Sequence, residues 1–216
     1  MKPKPSRNPQ GRPKDIGKRA GILRAAIKLF MGEGYENTSM EAVAKKAGVS
    51  KLTIYSHFAD KEELFREVIR HRCDAFSMSG SYMSLVDKPV TEALMLVSRT
   101  FATHVLSPDS LRLHRVMQTE AQRHPELIHS FYEVGPKRVK AAFAELLSAW
   151  NKQKKLSIPD PMKATEQFFT LVKGEMHMKL MLRVIPHPSP KEIEKHIEAS
   201  VAMFLAAYQP KLKTRK

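Results

Sequence analysis

Two short helical patterns joined by a glycine, at residues 37–61, constrain the fold most (NTSMEAVAKKAGVSKLTIYSHFADK). Thr38 and Glu41 have the three-residue spacing of a capping box, which predicts that a helix begins there. Apolar residues then recur at helical spacing: Met40, Val43, Ala44 and Ala47. Gly48 follows, and glycine adopts the left-handed conformation at a helix end without a Cβ penalty. The pattern therefore predicts a short helix that ends at Gly48.

A second short helix is predicted at residues 51–57, directly after the turn. Ser50 can cap it by accepting a backbone N–H bond, and Val49 and Ile54 can pack against the first helix. Its other side chains are polar or amphipathic: Lys51, Thr53, Tyr55, Ser56 and His57. Two such helices, the second one basic, indicate a DNA-binding helix-turn-helix. The alternative is an ordinary helical hairpin in an all-α core, but a core helix would not expose so many phosphate donors.

The charge of the chain favours a polyanionic partner. Lys and Arg number 37 against 22 Asp and Glu in 216 residues, which gives a net charge of +15. Charge alone would also allow a membrane surface as the partner. The single cysteine, Cys73, excludes an intrachain disulfide and makes a reducing cytoplasm the natural compartment. Because no apolar run suits a transmembrane helix or a secretory signal, we expect a cytoplasmic protein with no membrane partner.

The first 15 residues, MKPKPSRNPQGRPKD, contain four prolines and an excess of basic residues. This composition predicts a disordered basic arm. Arg12 lies in a short Gly-Arg-Pro-Lys segment of the kind that enters DNA minor grooves. A solvated tail without a DNA contact is the alternative interpretation.

The rest of the chain predicts helices and no strand, and therefore an all-α fold. Helical patterns occupy residues 16–31, 60–76, 89–106, 125–150, 159–184 and 191–208, with a further helix from residue 108. Gly135 and Pro136 interrupt the pattern at 125–150, which predicts a kink or break there.

Several motifs in the first 70 residues resemble the DNA-binding domain of the TetR/AcrR family of bacterial transcription regulators. They are FMGEGYENTS at 30–39, AKKAGVS at 44–50, YSHF at 55–58 and KEELF at 61–65. Further on, RHPEL at 123–127 and FYEVGP at 131–136 are similar to the C-terminal domain of one subgroup. The resemblance implies a DNA-binding domain at 16–76 and an effector-binding and dimerisation domain at 77–208. The composition of residues 209–216 predicts a basic tail.

The resemblance also implies which side chains meet DNA. Phosphate contacts are expected from Thr38, Tyr55, His57 and Lys61, and Ser50, Lys51 and Thr53 would face the major groove or its flanking phosphates. Lys51 and Thr53 are the candidates for base readout, because lysine suits guanine acceptors and threonine suits a thymine methyl group. Leu52 departs from the family, since many members have a small residue there.

In this family the last two long helices usually form a four-helix interface with a second subunit. A two-fold dimer would present two recognition helices to a palindromic operator. The alternative is that both helices serve a monomeric core. The remaining helices should enclose a small-molecule effector, and the Met and aromatic content favours a lipophilic one. Candidate lining residues, each of which could instead be ordinary core, are Phe101, His104, Met117, Phe143 and His177.

Enzymatic motifs are missing from the sequence. It has no HExxH, no Cys-rich metal spacing, no GxSxG and no phosphate-cradling glycine loop, so we expect no catalytic residue, metal or cofactor. The predicted function is a homodimeric repressor that a small effector releases from its operator. The alternatives are an activator, a regulator without a ligand, or an architectural DNA-binding protein.

Overall fold

The computed structural model describes residues 16–76 and 82–210. The predicted basic arm with Arg12 and residues 211–216 of the predicted tail lie outside these ranges, as does the side chain of Cys73. The described residues form helices and no β-strand, which confirms the all-α class. The chain divides into two compact units between Leu64 and Phe65. The functional boundary proposed at residue 76 stays a prediction.

The described part of the first unit, residues 16–64, holds three helices and the start of a fourth. They are α1 (Ile16–Glu33), α2 (Met40–Ala47), α3 (Lys51–His57) and α4 (Lys61–Phe76), which continues into the second unit. Helix α1 packs on α2, and α2 packs on α3. One apolar stripe of each helix is buried, as an amphipathic period requires. The buried side chains of this unit include Ile22, Phe30, Val43, Ile54, Phe58 and Leu64.

The turn between α2 and α3 forms largely as its residues predict. Gly48 adopts the left-handed conformation (φ 69°), and its N–H donates to the carbonyl groups of Ala44 and Lys45. Ser50 caps α3 by accepting a hydrogen bond from the N–H of Thr53 at 3.1 Å. The predicted cap at Thr38 is wrong, because Ser39 begins α2 and accepts from the N–H of Ala42. Each of the adjacent hydroxyl residues can cap, and the buried position of Thr38 leaves Ser39 to do so.

The second unit contains the longer helices around an aromatic core. They are α5 (Val90–Val105), α6 (Pro108–Glu120), α7 (Pro125–Tyr132), α8 (Arg138–Lys152), α9 (Pro161–Met181) and α10 (Pro190–Tyr208), preceded by a 3-10 turn at Tyr82–Leu85. The Phe143 ring stacks on Phe168 with centroids 4.8 Å apart, and Phe168 meets Phe204 at 5.1 Å. The Trp150 indole N–H donates to the carbonyl group of Val86 at 3.0 Å. These contacts join α8, α9 and α10 to the segment before α5.

Two helices of the second unit are irregular. A π-helical turn at Glu133–Lys137, which contains Pro136, joins α7 to α8 and confirms the predicted interruption. Helix α9 breaks at Gly174, with φ 55° and ψ −172°, and the sequence analysis did not predict this break. A Cβ atom on Gly174 would lie 2.6 Å from Cε1 of His196 on α10. Nε2 of His196 lies 3.1 Å from the carbonyl oxygen of Val172, so the imidazole occupies the space that the missing side chain leaves.

Candidate nucleic-acid interface and effector cavity

Helix α3 presents one face to solvent. Ile54 and Phe58 at its end are buried, whereas Lys51, Leu52, Tyr55 and Ser56 are exposed. Because residues four apart lie on the same side of a helix, these four side chains share one face. Leu52 is 83% exposed and lies beside Lys51 on this face. The exposed face combines a charge, an apolar side chain, a phenol and a hydroxyl, which are the groups that contact base edges and phosphates.

Lys51 is held by an ion pair that the sequence analysis missed. Its Nζ lies 2.6 Å from Glu41 Oε1 on α2, and both side chains are mostly exposed. The hydrogen bond to Glu41 raises the pKa of Lys51, and the same bond lowers the pKa of the Glu41 carboxyl. A base or phosphate contact by Lys51 must therefore compete with Glu41. Spacing along each helix gives no sign of this pair, because it joins two helices.

The hydroxyl groups of the first turn of α3 are bonded to one another. Ser50 Oγ and Thr53 Oγ1 are 2.8 Å apart, and the Ser56 hydroxyl donates to the carbonyl group of Thr53 at 2.8 Å. Thr53 itself is half-buried. A hydroxyl can donate one bond and accept two, so Ser50 and Thr53 retain capacity for a further contact.

Thr38 and His57 occupy less accessible positions than the sequence suggested. Thr38 is 1% exposed, and its hydroxyl donates to the carbonyl group of Gly34 at 2.7 Å. His57 is 9% exposed, and its buried Nδ1 has no hydrogen-bond partner among the described residues. A phosphate contact by either side chain would require the local packing to open, and both roles stay predictions.

Tyr55 is accessible to solvent, whereas Lys61 is held by contacts with other residues of the first unit. The Tyr55 side chain is 41% exposed on the open face of α3. Lys61, at the first turn of α4, donates from Nζ to the carbonyl group of Glu36 at 3.2 Å, and the same ammonium lies 4.3 Å from the centroid of the Tyr35 ring. These contacts fix the lysine charge between α4 and the segment before α2. The contact with the Tyr35 ring is a cation–π interaction, in which an ammonium faces an aromatic ring.

The second unit contains a partly open cavity of about 930 Å³. That volume lies within the range of small-molecule sites. Its wall takes residues from the later part of α4 and from α5 to α10, among them Ile69, Phe101, Val105, Leu113, Phe131, Val139 and Phe169. The wall is thus mainly apolar and aromatic, with polar groups at separate places.

The predicted pocket residues are distributed between the wall and the core. Phe101 and His104 line the cavity. Met117 and Phe143 are buried and do not line it, and Phe143 packs within the aromatic core. His177 is also buried outside the wall, and its Nε2 lies 3.4 Å from Nδ1 of His114. A role in effector binding stays a prediction for all five.

Basic side chains that the sequence analysis missed also line the cavity. Arg72 donates to Ser110 Oγ at 3.3 Å, and Nε2 of His104 lies 3.4 Å from the same oxygen. Burial lowers the pKa of His104 to about 4, with a smaller effect from the Arg72 charge, so this imidazole is neutral near pH 7. His114 and Lys173 belong to the same wall. A charge pattern in sequence usually marks a solvated surface, which gave no reason to place these residues in a pocket.

Comparisons with known proteins identify the class. A family model described as bacterial regulatory proteins, tetR family, matches residues 22–68. A second model, described as AefR-like transcriptional repressor, C-terminal domain, matches residues 92–210. The chain therefore belongs to the TetR family of transcriptional regulators, which confirms the resemblance seen in the sequence. Members of this family regulate transcription, which is not an enzymatic role.

Solved structures support the assignment over most of the chain. A TetR-family transcriptional regulator from Mesorhizobium loti MAFF303099 is 30% identical with a TM-score of 0.80, covering 93% of this chain and 100% of that one. The flavonoid-responsive regulator FrrA is 33% identical with a TM-score of 0.73, covering 91% of this chain and 99% of that one. A curated relative, the HTH-type transcriptional regulator YhgD of Bacillus subtilis strain 168, is 51% identical over 53 residues. That match spans 24% of this chain and 28% of the relative.

The structure also bears on the predicted absence of a membrane-spanning segment. Within residues 16–76 and 82–210, every helix is too short or too polar to cross a membrane.

Proposed function

We propose that the protein is a homodimeric repressor, that it binds a palindromic operator through α3, and that a small lipophilic effector releases it. The observation that carries this proposal is the position of Ile69 and Arg72 in the cavity wall. Both belong to α4, whose first turn lies in the DNA-binding unit. An effector that contacts this helix therefore has a continuous structural element through which to alter operator binding. Differential affinity for two arrangements of that helix would supply the coupling free energy.

The proposed DNA contacts follow the exposure of the side chains. Lys51 and Thr53 are proposed to read bases, and Ser50, Tyr55 and Lys61 to contact phosphates. Thr38 and His57 would join them only after their packing opens. Arg12 is proposed to contact a minor groove.

The dimer is proposed to form through α9 and α10. Helix α10 has a buried stripe and, on another side, an exposed stripe of alanines at three- and four-residue spacing: Ala199, Ala202 and Ala206. Small side chains let two helices approach closely. At the end of α9, Met178 is 56% exposed, and Leu182 and Val184 just beyond it are also exposed. Exposed apolar side chains that cluster in this way are typical of an interaction surface.

Two findings on related proteins favour repression and ligand response. The family model for the C-terminal part is described as that of a repressor, and the structural relative FrrA is described as flavonoid-responsive. We propose that residues 16–76 carry DNA binding and residues 77–208 carry effector binding and dimerisation, with Ile69 and Arg72 of α4 completing the cavity wall.

The test begins with selection of bound sequences from a random DNA library, followed by gel shifts against competitor DNA. We expect one palindrome to be preferred, with one dimer bound, as light scattering of the complex would measure. Binding that is uniform over sequences would replace this proposal with an architectural role. In a reporter strain carrying the selected operator, we expect expression of the protein to lower transcription, and a rise would make it an activator.

A further inference from the structure

One end of the cavity in the second unit concentrates basic side chains. Arg72, His104, His114 and Lys173 line this end, and Arg72 and His104 meet at the hydroxyl of Ser110. His114 lies near this part of α9, because its Nδ1 is 3.4 Å from Nε2 of His177, four positions after Lys173. Burial lowers the pKa of His114 to about 4, and the charges of Lys173 and Arg72 add to that effect. We call these four residues the basic end of the cavity.

The positive charge at the basic end is poorly compensated within the described part of the chain. The Arg72 side chain is 14% exposed, and its buried Nε has no hydrogen-bond partner there. Its Nη1 lies 3.9 Å from Asp109, a carboxylate that also accepts a hydrogen bond from Arg112 at 3.1 Å. Lys173 makes no hydrogen bond or ion pair with a described residue, and burial lowers its pKa. A half-buried cation without a partner is costly, and an anionic ligand would remove that cost.

At the other polar end of the cavity, two lysines share one carboxylate. Glu166 lies 3.7 Å from Nζ of Lys140 and 3.8 Å from Nζ of Lys163. Lys163 and Lys173 are ten positions apart on α9, which corresponds to roughly 15 Å of helix at 1.5 Å per residue. Phe101 and Phe169, whose ring centroids are 4.6 Å apart, also line the wall. The cavity thus offers an apolar and aromatic body, and among its lining lysines in the described part of the chain only Lys173, at the basic end, has no carboxylate partner.

We propose that the effector is an organic anion with an apolar, preferably aromatic, body and one oxyanion group, and that this group binds Lys173 and Arg72 at the basic end. The inference rests on the proposed function, since it takes the cavity to be the effector site. The lysine supplies one charge, and the Arg72 guanidinium, whose Nη2 lies 3.3 Å from Ser110 Oγ, supplies a second charge at the same end. His104 and His114, neutral near pH 7, can donate a ring N–H to the same group.

The experiment uses the full chain and two fluorescent dyes that share an anilinonaphthalene body. The first, 8-anilino-1-naphthalenesulfonate, carries an anionic sulfonate, and the second, N-phenyl-1-naphthylamine, is neutral. We expect the anionic dye to bind more tightly to the protein. Lys173→Met should weaken the anionic dye by about tenfold to a hundredfold, the usual range for loss of one contact to a charged group, and leave the neutral dye unchanged.

Three further variants make the result specific. Arg72→Gln should reproduce the loss for the anionic dye, which provides a second reading if one variant folds poorly. Lys163→Met removes the same charge from the end where Glu166 is shared, and it should weaken the anionic dye by less than about twofold, as expected for a screened charge. Lys179→Met, on α9 in an exposed pair with Glu175 at 3.0 Å, is the control for loss of net charge.

The outcomes distinguish a failure of the oxyanion inference from a failure of the proposed function on which it rests. If both dyes bind equally and Lys173→Met weakens neither, the anion preference is refuted while the cavity remains a binding site. If Lys163→Met causes the larger loss, the oxyanion binds at the other end and the assignment to Lys173 is refuted. If neither dye binds, both the inference and the effector cavity of the proposed function fail.

Discussion

Replacement of Gly174 by alanine tests whether the break in α9 is required by the packing of α10. The backbone at Gly174 has φ 55° and ψ −172°, a region that non-glycine residues rarely adopt, at a cost of about 1–3 kcal/mol. The new Cβ would also lie 2.6 Å from Cε1 and 2.7 Å from Nε2 of His196. Because the imidazole must then move, overpacking adds about 1–3 kcal/mol. We expect Gly174→Ala to lower the free energy of unfolding by about 2–6 kcal/mol.

The assay is urea unfolding followed by circular dichroism, with the slope of the transition checked for each variant. The double variant Gly174→Ala with His196→Ala should regain the stability lost to overpacking and keep the loss caused by the backbone conformation. The interaction free energy from this double-mutant cycle should therefore be about 1–3 kcal/mol and favourable. If Gly174→Ala instead raised stability, α9 would have become a continuous helix without cost. The account of the break as a site made for His196 would then be wrong.

Three further predictions concern operator binding and pH. Tyr55→Phe should weaken operator binding measured by fluorescence anisotropy and leave the melting temperature unchanged, and an unaltered affinity would remove the phosphate role of the phenol. Lys51→Ala should cost about 1–3 kcal/mol at one operator position, whereas an equal loss over all sequences would make Lys51 a phosphate contact. Because burial depresses the pKa of His104 and His114 to about 4, the unfolded chain gains protons first as pH falls. Their contribution to the free energy of unfolding, about 1–3 kcal/mol for each histidine, should be complete above pH 6.5 and disappear toward pH 4. Urea unfolding over this pH range measures the decline, and a variant with both histidines replaced by asparagine that keeps the full decline would contradict this account.

Local sequence signals determined the helices and the turn of the DNA-binding unit. The period of apolar residues predicted α2 and α3, and Ser50 predicted the start of α3. Gly48 predicted the left-handed turn between the two helices. Such signals succeed because helix period, capping and glycine conformation depend on residues within a few positions of one another. The same logic predicted the interruption at Pro136. Together with the quoted motifs, they were sufficient to indicate the family.

The tertiary structure decided which side chains are accessible and which charges meet. It buried His57, paired Lys51 with Glu41 across two helices, and brought Arg72 of α4 and Lys173 of α9 into one cavity wall. Helical periodicity shows that a residue lies on a face but does not show which partner covers that face. Contacts between distant helices depend on packing angles and on local breaks such as that at Gly174. The sequence therefore determined the class and the elements of this protein, while the packing of its helices decided the accessible DNA-binding side chains and the charge of its cavity.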